Sequence, residues 1–228
     1  MYFNKLRGEP VLITARNLQS AWDQAIRTIW TSGDREVDQR GNKIREILNM
    51  NLHITGSIND YPDKCPCSLR YAEDFSDGLL STRTAMKKSK EFDYSYGERI
   101  RKNNALDNVI DILTVEQQSR TCVLPVFNAA DTLYALNRAH NTVDAKEVPC
   151  VIDCVVILRD NKLHMTLNMR SNDVLTAMPS DVYGFRNLQN YIATQIGAKV
   201  GTYTHNVVSA HIIEENGADF MEQYMKTG

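Results

Sequence analysis

The sequence predicts an α+β fold, with one mixed β-sheet and helices packed on it, as a single domain over residues 1–228. Three observations predict it. Two apolar runs, Val151 to Leu158 and Lys162 to Asn168, flank Asp160-Asn161 and read as a β-hairpin. Apolar residues recur at helical spacing at Ala21, Trp22, Ala25, Ile26 and Ile29, and again from Tyr183 to Ile196. No internal repeat, low-complexity stretch or linker divides the 228 residues, so one core is expected.

Taken in order, Asn17 is placed to cap the first helix and Ser32-Gly33 to end it. Ile44 to Thr55 reads as a strand, and Asn59 to Pro66 as a loop marked by Asp60, Pro62 and Pro66. Ser68 to Met86 reads as helix, with a break near Gly78. Lys87 to Asn104 is charged and aromatic, and Asn104 to Leu113 suits a short helix. Residues 120–128 read as a strand that Pro125 confines to an edge or a bulge. After the hairpin, Pro179 opens a turn into the Tyr183 helix, which Gly197 follows as a C′ residue. Tyr203 to Ile213 is the last strand and Glu215 to Met225 the last helix.

Bulk properties exclude several function classes. A net charge of −2 and a pI near 6.2 do not fit a sequence-independent nucleic-acid binder, so no nucleic acid is expected as a partner. No apolar run approaches the roughly 20 residues of a membrane helix, and the N-terminus lacks a signal-peptide core. A cytoplasmic location with reduced cysteines is expected, and five cysteines is an odd number for a disulfide framework. Neither a phosphate loop nor a dinucleotide fingerprint is present. Cys65-Pro-Cys67 offers two thiols, but without a second pair it reads as loop cysteines, and no metal site is expected.

Pro149-Cys150 opens the hairpin and Arg170 ends its partner strand, so the two can lie close together. Alone, such a cysteine reads as a small buried hydrophobe; as a nucleophile it needs nearby positive charge to favour the thiolate. Arg170-Ser-Asn-Asp173 suits either an ordinary turn or an anion site of guanidinium, hydroxyl and amide donors.

Together, Pro149-Cys150, Arg170-Ser171-Asn172-Asp173, Asp181 and His211 resemble the catalytic half of the thymidylate synthase superfamily. Arg170, Asp181 and His211 follow Cys150 at separations of 20, 31 and 61 residues, as in that family. The resemblance implies a homodimer joined through the sheet, a pyrimidine nucleoside monophosphate as substrate and 5,10-methylenetetrahydrofolate as one-carbon donor. It implies Cys150 as nucleophile, with Arg170 and Ser171 on the phosphate. Arg120, in Ser119-Arg120, would reach the phosphate across the dimer, and Arg40, with Arg45 as rival, would complete that site. His211 would order the sugar side, and Asp173 the ring or cofactor side. Tyr96-Gly97 resembles the family's Tyr-Gly segment.

The departures point to one branch. Where thymidylate synthase has an asparagine facing the base, this chain has Asp181. Uracil offers an N3–H donor and an O4 acceptor, which suits an amide. Cytosine offers the reverse, and a carboxyl group that accepts from N4–H₂ and donates to N3 complements it. The same exchange marks the phage deoxycytidylate hydroxymethylases. The competing reading of Asp181 is a helix N-cap. The family's catalytic glutamate has no clean counterpart: alignment puts Tyr71 there, and Glu73, one helical step away, is the candidate. Ile213 replaces the tyrosine expected at the sugar 3′-hydroxyl, which leaves CMP open beside dCMP, and Thr121 replaces the second arginine after Ser119. The implied activity is therefore a (deoxy)cytidylate 5-hydroxymethyltransferase. Cys150 adds to C6, C5 takes the one-carbon unit, and water activated by Glu73 or Tyr96 completes the hydroxymethyl group. A dCMP methyltransferase, a short-type thymidylate synthase acting on dUMP, and an inactive nucleotide-binding homologue are the alternatives. The location would be a host's cytoplasm if the gene is a phage's.

Overall fold

The computed structural model describes residues 8–56, 60–81, 94–141 and 146–227. The elements are β1 (Val11–Ala15), α1 (Leu18–Ser32), β2 (Asp34–Val37), β3 (Lys43–Ile54), α2 (Leu69–Leu80), α3 (Tyr96–Arg101) and α4 (Ala105–Val115). They continue with β4 (Val123–Pro125), α5 (Ala129–Ala139), β5 (Val151–Arg159), β6 (Lys162–Asp173), α6 (Met178–Gln195), β7 (Lys199–Ile213) and α7 (Glu214–Lys226).

The strands form one mixed sheet in the order β1-β3-β7-β6-β5-β4, with β2 paired to β3. β1 runs parallel to β3 and β6 parallel to β7, while the other pairs are antiparallel. The expected hairpin is β5–β6. Asp160 and Asn161 both have positive φ, the backbone of a type I′ turn, which asparagine and aspartate tolerate better than branched residues. Among the described residues β4 pairs only with β5, so Pro125 sits on an edge as its missing N–H requires.

The expected helices form for the expected reasons. Asn17 Oδ1 accepts from Ser20 N at 3.1 Å, and Asp60 adds bonds from the backbone N–H groups of Leu18 and Gln19. Ala21, Trp22, Ala25, Ile26 and Ile29 are fully buried against the sheet. Gly197 has φ +68°, and Ala198 N bonds Ala193 O at 2.8 Å, so α6 ends on a left-handed residue.

Several elements depart from expectation. β1, β2 and α5 lie in stretches too short or too polar to show a period; the Asn128–Asp131 capping box of α5 is their one local signal. α2 runs through Gly78 without a break and ends at Leu80, while residues 82–86 of the expected helix lie outside the described residues. α6 begins at Met178, with Pro179 inside its first turn, where the missing N–H costs nothing. Asp181 is therefore within the helix and is not its N-cap; Ala177 holds that position.

The inside–outside alternation slips in each of four neighbouring strands, and in β3 a second time between Ile44 and Ile47. Buried residues step by three from Ile47 to Met50, Val207 to Ala210, Met169 to Asn172 and Val151 to Cys154. These steps in β3, β7 and β6 lie side by side, because Met50 and Met169 both pair with Val207, and the step in β5 starts from the same row, at Val151 paired with Met169. Asn49 takes up its slip with a left-handed backbone, and the β5–β6 register shifts between Val151 and Asp153. Arg170 and Ser171 lie in this row.

α2 crosses α6 at Gly184, where an added Cβ would meet the Phe75 ring at 2.6 Å. Phe75 is hemmed in by Tyr96 and Phe185. Gly184→Ala is expected to destabilise: overpacking costs roughly 1–3 kcal/mol and exceeds the ~1 kcal/mol gain in helix propensity. A lowered urea midpoint would show it, and an unchanged or raised midpoint would refute the close packing.

Candidate active site

Cys150 lies immediately before β5, and Arg170 lies opposite it on β6. Arg170 N donates to Cys150 O at 2.9 Å, closing the ladder where the register shifts. The guanidinium folds back over the Pro149-Cys150 turn. Its Nε donates to Pro149 O at 2.9 Å, and Nη2 to Val148 O at 3.1 Å and to Cys150 Sγ at 3.6 Å. The expected Cys–Arg pair is therefore present, and backbone carbonyls fix its geometry.

Electrostatics qualifies the thiolate expectation. Burial pushes the Cys150 thiol above its ordinary value. Arg170 and Arg40 pull it down, and Asp181 and Glu147 push it further up. The resting group is a thiol, because desolvation and two acids outweigh the arginines. Cys150 alkylation by iodoacetamide, followed by peptide mapping, should accelerate with pH around a midpoint above the ordinary cysteine value of about 8.5. Glu147→Gln should lower that midpoint and Arg170→Met raise it. A midpoint near 7 in the wild type would refute this balance.

Asp181 sits one turn into α6. Burial raises its carboxyl; the hydrogen bond from Asn172 lowers it and Asp173 raises it again, leaving it at about 7. Asn172 Nδ2 donates to Asp181 Oδ2 at 2.8 Å. Tyr96, at the start of α3 behind its Ser95 cap, is brought to the same place. Burial raises its hydroxyl, Asp181 and Cys150 act on it electrostatically, and Val151 N–H donates to its oxygen.

The remaining residues named from the sequence divide. Arg40 lies in the turn between β2 and β3 and donates to both oxygens of Glu147 at 3.1 Å. Its rival Arg45 is committed elsewhere, bonded to Glu214 at 2.9 Å and stacked 3.9 Å over Trp30. Ser171 is half-buried beside Arg170. Asp173 closes the turn into α6, accepting from Leu175 N and from Thr176 Oγ1. His211 lies on β7 opposite Asp173, half-buried. Arg120 is exposed in the bend between α4 and β4. Glu73 is not drawn into the site: it lies on the exposed side of α2, because Ala72, Ser76 and Leu79 form the buried face.

Two contributors were not foreseen. Glu147 accepts from Arg40 and also from Arg138 of α5, and with Asp181 it is one of two acids that act on Cys150. Its signal was its place three residues before the cysteine on the same extended segment. Tyr94 stacks on Tyr96 at 5.9 Å, and Cys150, Arg170 and Glu147 all act on its hydroxyl.

A thiol held under an arginine at the slipped row of a mixed sheet, with a buried acid at the start of the covering helix, marks the chain as a thiol-centred α+β protein. The chain belongs to the thymidylate synthase family, whose sequence model matches residues 20–227. It is 31% identical over 222 residues to a "Putative thymidylate synthase" of Methanococcoides burtonii, covering 94% of each chain. Proteins so described from Methanosarcina acetivorans (29%, covering 94% of each) and Methanocaldococcus jannaschii (27%, covering 91% of this chain and 93% of the other) are also similar. The family consists of one-carbon transferases that bind a pyrimidine nucleoside monophosphate and use 5,10-methylenetetrahydrofolate as donor. Among the described residues, no helix is long and apolar enough to cross a membrane.

Proposed function

We propose that this chain transfers a one-carbon unit to C5 of a cytidine monophosphate, dCMP or CMP, and leaves it as a hydroxymethyl group. The observation that carries the reading is Asp181, a buried carboxyl raised to about 7, so that its protonated form is well populated at neutral pH, which acts electrostatically on both Cys150 and Tyr96. A neutral acid beside the nucleophile complements the N3 acceptor and N4 amine of cytosine. After Cys150 sulfur adds to C6, electron density passes to C5, and Asp181 stabilises it through N3 and N4. Arg170, Ser171 and Arg40 hold the phosphate, with Glu147 yielding Arg40 to it.

When bound, 5,10-methylenetetrahydrofolate supplies the electrophilic carbon that C5 captures. The site fits such a donor: three hydrogen bonds from Leu175 and Thr176 leave the Asp173 carboxylate one lone pair for a ring N–H. Tyr96 orders the water that hydrates the methylene left on C5. Arg120, exposed beyond the sheet edge, serves the phosphate site of a second copy docked on the open sheet face, and His211 orders the sugar.

A second reading, dUMP methylation, is favoured by the names of the similar archaeal proteins. Tritium release from C5-labelled dCMP, CMP and dUMP, with and without the donor and followed by product mass, separates them. Cytosine turnover with a hydroxymethyl product is expected. Exclusive dUMP turnover or a methyl product would sink the proposal.

A further inference from the structure

Asp181 is the end of a buried chain of polar side chains. Beyond the Asn172 bond, Asn172 Oδ1 meets His205 Nε2 at 3.1 Å, and His205 Nδ1 meets the Tyr203 hydroxyl at 3.1 Å. Tyr203 and His205 are fully buried and Asn172 nearly so. β7 brings in Tyr203 and His205, and β6 contributes Asn172 just past the slipped row. None of the three is used in the steps above.

Counting hydrogens gives this chain a direction. An amide oxygen only accepts, so His205 Nε2 carries a proton. Burial keeps His205 neutral, its value pulled down to about 3, so Nδ1 is a bare acceptor. The Tyr203 O–H then donates to Nδ1, and Asn172 N–H donates to Asp181 Oδ2. In the opposite direction, Tyr203 would accept from His205 and its own proton would need another acceptor. Among the described residues, His205 is the one hydrogen-bond partner of that hydroxyl. The forward direction satisfies every proton, which buried polar groups require.

We propose that Tyr203, His205 and Asn172 form a one-way hydrogen-bond relay that sets base specificity by committing Asp181 Oδ2 to accept and leaving the acid proton on Oδ1. Oδ2 has a second lone pair for an exocyclic amine, and Oδ1–H donates to a ring nitrogen. That pattern admits cytosine and sets donor against donor at N3 of uracil. Run backwards, with the Asn172 amide turned over, the relay would fix the acid proton on Asp181 Oδ2 as donor to the Asn172 oxygen and leave Oδ1 free to accept N3–H. The three are positioning residues acting through Asp181, and the inference rests on the reading that Asp181 meets the base.

Two measurements on the whole chain test it. Titration calorimetry with dCMP and dUMP, without donor, gives the binding ratio for wild type, Tyr203→Phe and His205→Gln. Tyr203→Phe, which removes the terminal donor and keeps the ring, is expected to cut the dCMP-over-dUMP ratio about tenfold, the weight of one hydrogen bond. His205→Gln can still accept on one side and donate on the other, so it should largely keep the ratio. An unchanged ratio in Tyr203→Phe, or equal loss for both nucleotides with a lowered Tm, overturns the relay. A wild type without cytosine preference refutes the Asp181 reading itself, whatever the variants do. Nitrogen-15 NMR of the wild-type histidines is independent of variant folding. An Nε2–H tautomer at His205 is expected, and an Nδ1–H tautomer overturns the direction.

Discussion

Cys150→Ala is expected to lower tritium release from C5 by at least about a thousandfold, since losing a covalent nucleophile removes the step on which the others depend. Nucleotide binding should survive within a few-fold. Arg170 is held by the carbonyls of Val148 and Pro149, so the phosphate site does not need the sulfur. Cys154 provides a control four residues along. It is fully buried in the core, and burial pushes its thiol far up, so Cys154→Ala should leave turnover near wild type. A Cys150→Ala protein retaining a tenth of the rate would mean that addition at C6 does not use this thiol.

Asp181→Asn is expected to reverse base preference. An amide in the same place matches uracil, and sites built to hydrogen-bond a specific group discriminate by about 10⁴–10⁵. A fall of three orders of magnitude or more in the dCMP-to-dUMP ratio of kcat/KM is therefore expected, most of it from lost dCMP turnover. The same variant has a stability signature. The folded carboxyl holds its proton up to about pH 7, and the unfolded one releases it near 4. The stability this confers is complete at low pH and is lost as pH rises from about 4 through 7, by roughly 4 kcal/mol at most. Asp181→Asn removes that slope, so its denaturant midpoint should gain on wild type between pH 4 and pH 8. Parallel profiles for the two proteins would show that Asp181 titrates normally.

Much of this was legible in the sequence because the signals were local or periodic. The α1 stripe, the Asp160-Asn161 turn, the Gly197 end and the edge placement of Pro125 each follow from a few adjacent residues. The spacing from Cys150 to Arg170 foretold their contact, since a hairpin with a two-residue turn brings its ends together. Other features depend on distant partners. Glu73 was a sound candidate by position, but which side of α2 faces inward is decided by its packing on α6. The competing cap reading of Asp181 arose because Pro179 suggested a turn, whereas proline is equally at home in a helix's first turn. Glu147 shows no pattern of its own, and its part emerges only when the β2–β3 turn delivers Arg40 and α5 delivers Arg138. The four-strand slip leaves a trace in each strand, a buried step of three, which cannot be read until the partners are known.

That slip has a consequence for how such a chain can change. Two residues step off the buried face in β3, β7, β6 and β5 beside one row of paired residues, Met50, Val207, Met169 and Val151. Deleting one residue from a single strand there would turn its far half inside out while the other three kept their facing. Such a lesion cannot be absorbed locally, so length at this row is in effect quantised. Insertion scanning should find the strands intolerant at Asn49, Ile152, Arg170 and Val208. The fixed intervals that first linked Cys150 to Arg170 and His211 are then a mechanical property of the sheet, kept by strands that can change length only together.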